Sequence, residues 1–100
     1  MQTYPPAGSS SGGTGTSPVY TSVAAPYTIL ASDEYVNVTV GGLITIPAPT
    51  ATRILRIRRS SLCLADVTFD VTFDGDAKTL LVPKENVKIV WNGSIWEEWP

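Results

Sequence analysis

Alternation with a period of two runs through most of this chain. Tyr27-Thr-Ile-Leu30, Tyr35-Val-Asn-Val-Thr-Val40 and Leu43-Ile-Thr-Ile46 are short apolar runs separated by Asp33-Glu34 and Gly41-Gly42, and they predict three short strands. Pro47 and Pro49 forbid a central ladder position, so residues 47–52 read as a connection into a fourth strand, Ile54–Arg58. The tandem Val67-Thr-Phe-Asp-Val-Thr-Phe-Asp74 then places Val67, Phe69, Val71 and Phe73 on one face of a strand, where helical spacing would scatter them. A turn at Gly75-Asp76 predicts Phe73 opposite Lys78, Val71 opposite Leu80 and Phe69 opposite Val82. Asn92-Gly93 favours a two-residue type I′ turn that pairs Trp91 with Ser94, Ile89 with Trp96 and Lys88 with Glu97. One face of that last hairpin carries Val87, Ile89, Trp91 and Trp96, and the other carries Val90, Ile95 and Trp99. A sheet apolar on both sides needs cover on both sides.

No segment carries the apolar stripe of an amphipathic helix. The predicted fold is all-β, a small antiparallel β-sandwich or open barrel over residues 27–100, preceded by an extended arm over residues 1–26. The arm is set apart by charge and composition. The first charged side chain is Asp33, and Gly8, Gly12, Gly13, Gly15, Pro5, Pro6, Pro18 and Pro26 are interspersed with Ser and Thr. Such a segment has little to bury and does not fold alone. It reads either as a loose tail or as an arm that docks in extended form on a partner through Tyr4, Val19, Tyr20 and Val23.

Composition narrows the chemistry. The 100 residues include 7 basic and 9 acidic side chains, no histidine and one cysteine, Cys63. Ser-His-Asp and Cys-His catalysis, a histidine zinc site and an internal disulfide are therefore excluded. The opening Met-Gln-Thr-Tyr-Pro-Pro lacks the pattern of a secretory signal, and no apolar run reaches the roughly 20 residues of a membrane-spanning helix. The expectation is a protein made in the cytoplasm, with no cofactor, no metal and no membrane. A core this small supplies only about 3–5 kcal/mol of net stability, so self-association is the natural complement.

Candidate sites divide into three groups. Asp66, Asp70 and Asp74 recur every four residues, but that spacing spans about 13 Å of strand and cannot close on one calcium ion. They read as a solvated face or as partners for Arg56 and Arg58. Arg53, Arg56, Arg58 and Arg59 hold four of the seven basic residues; with a net charge of −2, salt bridging within or between subunits is the better reading than nucleic-acid binding. Glu97 and Glu98 beside Trp96 and Trp99 are the ingredients of a glycan site. Adjacent strand residues point to opposite faces, so the two carboxylates cannot flank one scissile bond. Val90, Ile95 and Trp99, with Arg56 and Arg58, make the candidate oligomer interface.

The order of elements is similar to a known class. Leu43-Ile-Thr-Ile-Pro47, the basic Ile54-Leu-Arg-Ile-Arg58, the Val67–Asp74 repeat with Gly75, and the closing Val87-Lys-Ile-Val-Trp-Asn-Gly-Ser-Ile-Trp96 resemble small β domains of tailed-bacteriophage virion proteins over about residues 27–99. The resemblance implies a non-enzymatic structural component of the virion, a capsid decoration protein, short head fibre or tail-fibre tip, commonly a homotrimer. Its implied partners are a second copy and the major capsid protein or another virion protein. The alternative is a carbohydrate-binding module for attachment to a host-surface glycan. Neither reading calls for nucleic acid.

Overall fold

The computed structural model of the chain describes residues 18–100. Nine strands follow in order: β1 Tyr20–Ala24, β2 Tyr27–Thr28, β3 Tyr35–Val40, β4 Gly42–Thr45, β5 Arg53–Arg59, β6 Val67–Phe69, β7 Thr79–Leu80, β8 Asn86–Trp91 and β9 Trp96–Trp99. They form a five-stranded sheet, β1-β3-β5-β8-β9, and a four-stranded sheet, β2-β4-β6-β7. No helix long and apolar enough to cross a membrane occurs among the described residues. The fold is all-β, as the alternation implies.

The pairing corrects the antiparallel expectation, because both sheets are mixed. β1, β3 and β5 are parallel to one another, as are β2, β4 and β6. The reason is that the chain changes sheet after each long strand. β1 leads to β2, β3 to β4 and β5 to β6, giving three stacked coils, and parallel neighbours need a crossover of this kind. β7, β8 and β9 then close the stack in antiparallel fashion.

The expected start of the β head at Tyr27 is also corrected. Tyr20 to Val23 pair in register with Tyr35 to Val38, and Val23 is buried in the core. Val19 and Tyr20 lie at the entrance of that strand, so three of the four residues assigned to a docking arm belong to the sheet or its margin. The fourth, Tyr4, lies outside the described residues.

Val23, Val36, Val38, Leu55, Ile57, Val87, Ile89 and Trp96 of the larger sheet pack against Ile44, Val67 and Leu80 of the smaller one, with Ile29, Ile46 and Phe73 from adjoining segments. Leu55, Ile57 and Ile89 are fully enclosed. Burial of each such aliphatic side chain stabilises the fold by about 1.5–3 kcal/mol.

Two registers differ from expectation. Val67, not Val71, lies opposite Leu80, and the repeat leaves the ladder after Phe69. Asp70 turns its Oδ1 to accept the Ile46 amide at 2.8 Å, and positive φ at Asp74 and Gly75 swings Phe73 inward, 5.2 Å from the Phe69 ring. In the last hairpin Trp91 faces Trp96 and Val90 faces Glu97, because Asn92 builds a longer turn. Its Oδ1 accepts the amides of Ser94 at 2.9 Å and Ile95 at 3.0 Å. The slip is two residues, which preserves the face of every side chain, so the two-faced apolar hairpin stands.

At one edge of the sandwich the turn between β2 and β3 is organised by buried Asp33. Its Oδ2 accepts the Leu30 amide at 2.8 Å and the Tyr27 hydroxyl at 2.7 Å, while Arg53 donates to the backbone oxygens of Leu30 and Asp33. Desolvation, then the hydrogen bond to Asp33 and its charge, push the Tyr27 phenol from 10.0 up to about 12. A folded-state pKa above the unfolded value means that the contribution is complete below pH 10 and is lost as pH rises towards 12. In a spectrophotometric titration Tyr27 is expected to ionise near pH 12, and Asp33→Asn to bring its midpoint down; an unchanged titration curve in that variant would contradict this.

Candidate functional site

Two surfaces stand out, one made by the connections between sheets and the other by the open face of the larger sheet. The first follows from the coiled path. Each passage from the larger to the smaller sheet turns the same corner, and the return from β7 to β8 lies beside them. Backbone hydrogen bonds stitch these corners together: Ala25 to the Val40 carbonyl at 3.0 Å, Gly42 to that of Asp66 at 3.0 Å, and Lys84 to that of Arg59 at 2.8 Å.

Apolar side chains stand along this edge beside the exposed Ser61, Asp66 and Lys84. Leu62 is 82% exposed and Leu64 96%, with Val40, Leu81 and Val82 each more than half uncovered. They form an apolar crest. It is held rather than loose, because the buried Arg59 guanidinium donates from Nε and Nη2 to the Cys63 carbonyl at 3.3 and 3.1 Å. Arg59 Nη1 reaches the Leu80 carbonyl at 3.3 Å and Asp66 Oδ1 at 3.2 Å. Cys63 between the two leucines points inward and is wholly buried, so the alternation of the Leu62-Cys63-Leu64 run throws both leucines outward. Soluble monomers seldom leave a contiguous apolar patch uncovered without a use for it.

On the second surface Tyr20, Tyr35, Arg56, Lys88 and Trp99 stand in one row across the five strands of the larger sheet. Ser22, Asn37, Arg58 and Asn86 stand in the neighbouring row, and Ile54, Val90 and Glu97 in the row beyond. Arg56 lies over the Tyr35 ring, 5.1 Å from its centroid, a cation–π contact. Arg56, Arg58 and Lys88 have no ion-pair partner among the described residues. A chain that is acidic overall thus presents a locally basic, aromatic face.

This arrangement brings Val90, Trp99, Arg56 and Arg58 onto one surface, with Ile95 in the adjoining turn, as the candidate interface requires. The glycan group is divided. Trp96 is a core residue, 3% exposed, in edge contact with Trp91 at 5.5 Å, and is not available for stacking on a sugar. Trp99 and Glu97 share the outer face, and the Trp99 indole donates to Glu97 Oε1 at 3.1 Å. Glu98 faces the other way and meets Lys78 at 3.3 Å.

The three repeated aspartates have separate partners, correcting the idea that they serve Arg56 and Arg58. Asp66 meets Arg59, Asp70 holds the Ile46 amide, and Asp74 Oδ2 accepts the Glu98 amide at 2.8 Å. Arg56 and Arg58 are out of their reach because they project from the outer face of the other sheet. Among the described residues no three His, Cys, Asp or Glu side chains converge as a metal site. A broad groove of about 830 Å³ beside residues 47–52 is lined by Asp33, Arg53 and Arg56, and there Asp33 and Arg53 are engaged in holding the backbone.

Comparison of the chain with protein-family models, curated proteins and solved structures finds no match.

Proposed function

We propose that this chain is a non-enzymatic structural protein of a tailed-bacteriophage virion, a capsid decoration or short head-fibre protein that self-associates as a homotrimer. It is made in the host cytoplasm and carried on the particle, where its N-terminal segment contacts the major capsid protein or another virion protein. The resemblance over residues 27–99 supports the class. The observation that carries the assembly reading is the crest, five exposed apolar side chains at the corner where the chain changes sheet, with buried Arg59 fixing the backbone between Leu62 and Leu64.

The crest is a better self-association surface than the sheet face. Packing copies of the sheet face around a shared axis would gather Arg56, Arg58 and Lys88 against one another with Glu97 as the carboxylate among them, and like charges at close quarters oppose assembly. The crest brings aliphatic groups together, and the exposed charges beside it, Asp66 and Lys84, are of opposite sign. Each leucine fully buried contributes about 1.5–3 kcal/mol, so replacing Leu62 and Leu64 together with Glu is expected to weaken association by roughly a hundredfold or more. The same double variant is expected to be lost from gradient-purified particles carrying the protein, with its circular dichroism unchanged. Full retention on the particle would remove the crest from the assembly.

A second reading, attachment to a host-surface glycan, is favoured by one feature of the sheet face: the exposed Tyr20 and Trp99 rings at the two ends of a row that also holds Tyr35, Arg56 and Lys88.

A further inference from the structure

We infer that the open edge of β1 takes up an extended acidic segment of another protein as an added strand of the larger sheet. The inference goes beyond the assembly reading, which engages the crest alone.

Among the described residues the two sheets have four edge strands, β1 and β9 in the larger and β2 and β7 in the smaller. An open edge is a template for another strand, and proteins blunt the edges they leave unused. Three are blunted here. Along β9, Asp74 donates its amide to the Trp96 carbonyl at 2.8 Å and accepts the Glu98 amide on Oδ2 at 2.8 Å. β7 has two residues; Arg59 Nη1 caps its Leu80 carbonyl at 3.3 Å, and Glu85 Oε1 accepts the following Leu81 amide at 2.7 Å. β2 also has two residues and directly follows Pro26. β1 has five residues, no charge and no proline.

The register assigns its free backbone groups. The Val19 carbonyl accepts the Tyr35 amide at 2.9 Å, and Thr21 and Val23 lie opposite Val36 and Val38, so residues 19, 21 and 23 turn their N–H and C=O groups to β3. Tyr20 and Ser22 between them turn theirs outward, where no other described segment meets them. Both residues are exposed.

The outer face beside this edge selects the partner. Arg56 lies over Tyr35, and neither it nor Arg58 meets a carboxylate among the described residues; Glu34 is drawn to the Val19 amide at 3.3 Å. Between Tyr20, Tyr35, Arg56 and Arg58 the face dips into a depression of about 200 Å³ with almost wholly apolar walls. Asn37 Oδ1 beneath it is unpaired but sealed from solvent, so the depression suits an aliphatic side chain rather than a polar one. Diagonal neighbours on adjacent strands lie about 7–8 Å apart, within reach of long side chains. A strand that turns glutamate and leucine to this face therefore meets guanidinium groups and an apolar hollow, its main chain supplying affinity and its side chains specificity. β1 of a second copy is a poorer occupant, because it is uncharged and brings two more arginines to the same face.

The test is calorimetric titration of the full chain with the end-blocked peptide Thr-Glu-Val-Leu-Val-Glu-Thr, its counterpart with lysine for glutamate, and a version N-methylated at the three central residues. The acidic peptide is expected to bind at least tenfold tighter than either of the others. Ser22→Pro removes an outward N–H at an edge position, where proline is tolerated; it and Arg56→Gln are each expected to weaken binding fivefold or more with circular dichroism unchanged. Should Ser22→Pro fail to fold, the N-methylated peptide still tests the edge. Equal affinity for the N-methylated peptide, or full affinity in a folded Ser22→Pro variant, would overturn the added strand. Tightest binding of the lysine peptide would overturn the acidic partner, a solution mass lowered by Ser22→Pro would give the edge to a second copy instead, and no binding of any peptide would overturn the inference.

Discussion

Arg59→Ala is expected to destabilise the fold by about 3 kcal/mol. Arg59 is 5% exposed and its guanidinium is shared by the Cys63 carbonyl, the Leu80 carbonyl and Asp66. Truncation leaves the two carbonyls without these donors, and an unsatisfied buried polar group costs about 1–3 kcal/mol. Asp66, more than half exposed, is resolvated and adds little. The loss therefore sits in the corner, and amide exchange at Leu62 and Cys63 should accelerate with the drop in denaturant midpoint. Arg59→Lys should recover only part of it, because an ammonium lacks the fork that reaches several acceptors together. An unchanged midpoint in Arg59→Ala would show that water replaces the guanidinium at no cost.

Gly41→Ala is the second large effect. A Cβ at position 41 would collide with the Ala65 oxygen and lie 2.6 Å from its carbonyl carbon and 2.7 Å from its Cβ. Two of these three atoms are backbone, so the strain cannot be relieved by a rotamer change. The corner must part, at about 3 kcal/mol, and in a domain of this size that lowers the melting temperature by roughly 10–25 °C. Adding Ala65→Gly should not restore stability, since the carbonyl remains. A full rescue by the double variant would place the conflict in the side chain alone.

Both substitutions strike the corner where the chain changes sheet, and this was the part least legible in the sequence. Alternation shows where strands run and which face is apolar, so β3, β4, β5 and β8 were readable and the faces of the last hairpin survive a two-residue slip. Pairing direction leaves no such trace, because a half-buried strand alternates alike beside a parallel or an antiparallel neighbour. The coil path was therefore not deducible from Gly41-Gly42, which reads equally as a hairpin turn. β1 was hidden by composition. Tyr20-Thr-Ser-Val23 continues an uncharged, Gly- and Pro-rich stretch, and only its register with Tyr35-Val-Asn-Val38 reveals the matching coil.

The two candidate surfaces were legible to different degrees. The clustering of Val90, Trp99, Arg56 and Arg58 on one face follows from strand parity and was within reach. Leu62 and Leu64 were not, since an apolar run around a cysteine suggests burial and here only Cys63 is buried. Asn37 within Tyr35-Val-Asn-Val-Thr-Val40 gave a usable signal, a polar residue on the strand face that also carries Tyr35. Its unpaired Oδ1 emerges only once the neighbouring rows are in place.

The central claim, that copies of this chain join through the Leu62–Leu64 crest and leave the Tyr20–Trp99 row open, is tested most directly by solution mass. Light scattering of the full chain is predicted to give three times the 10.7 kDa of one chain. The Leu62→Glu, Leu64→Glu variant is predicted to give a single chain's mass, and Trp99→Ala to keep the assembly intact. A wild-type monomer, or an oligomer dispersed by Trp99→Ala and unaffected at the crest, would contradict it.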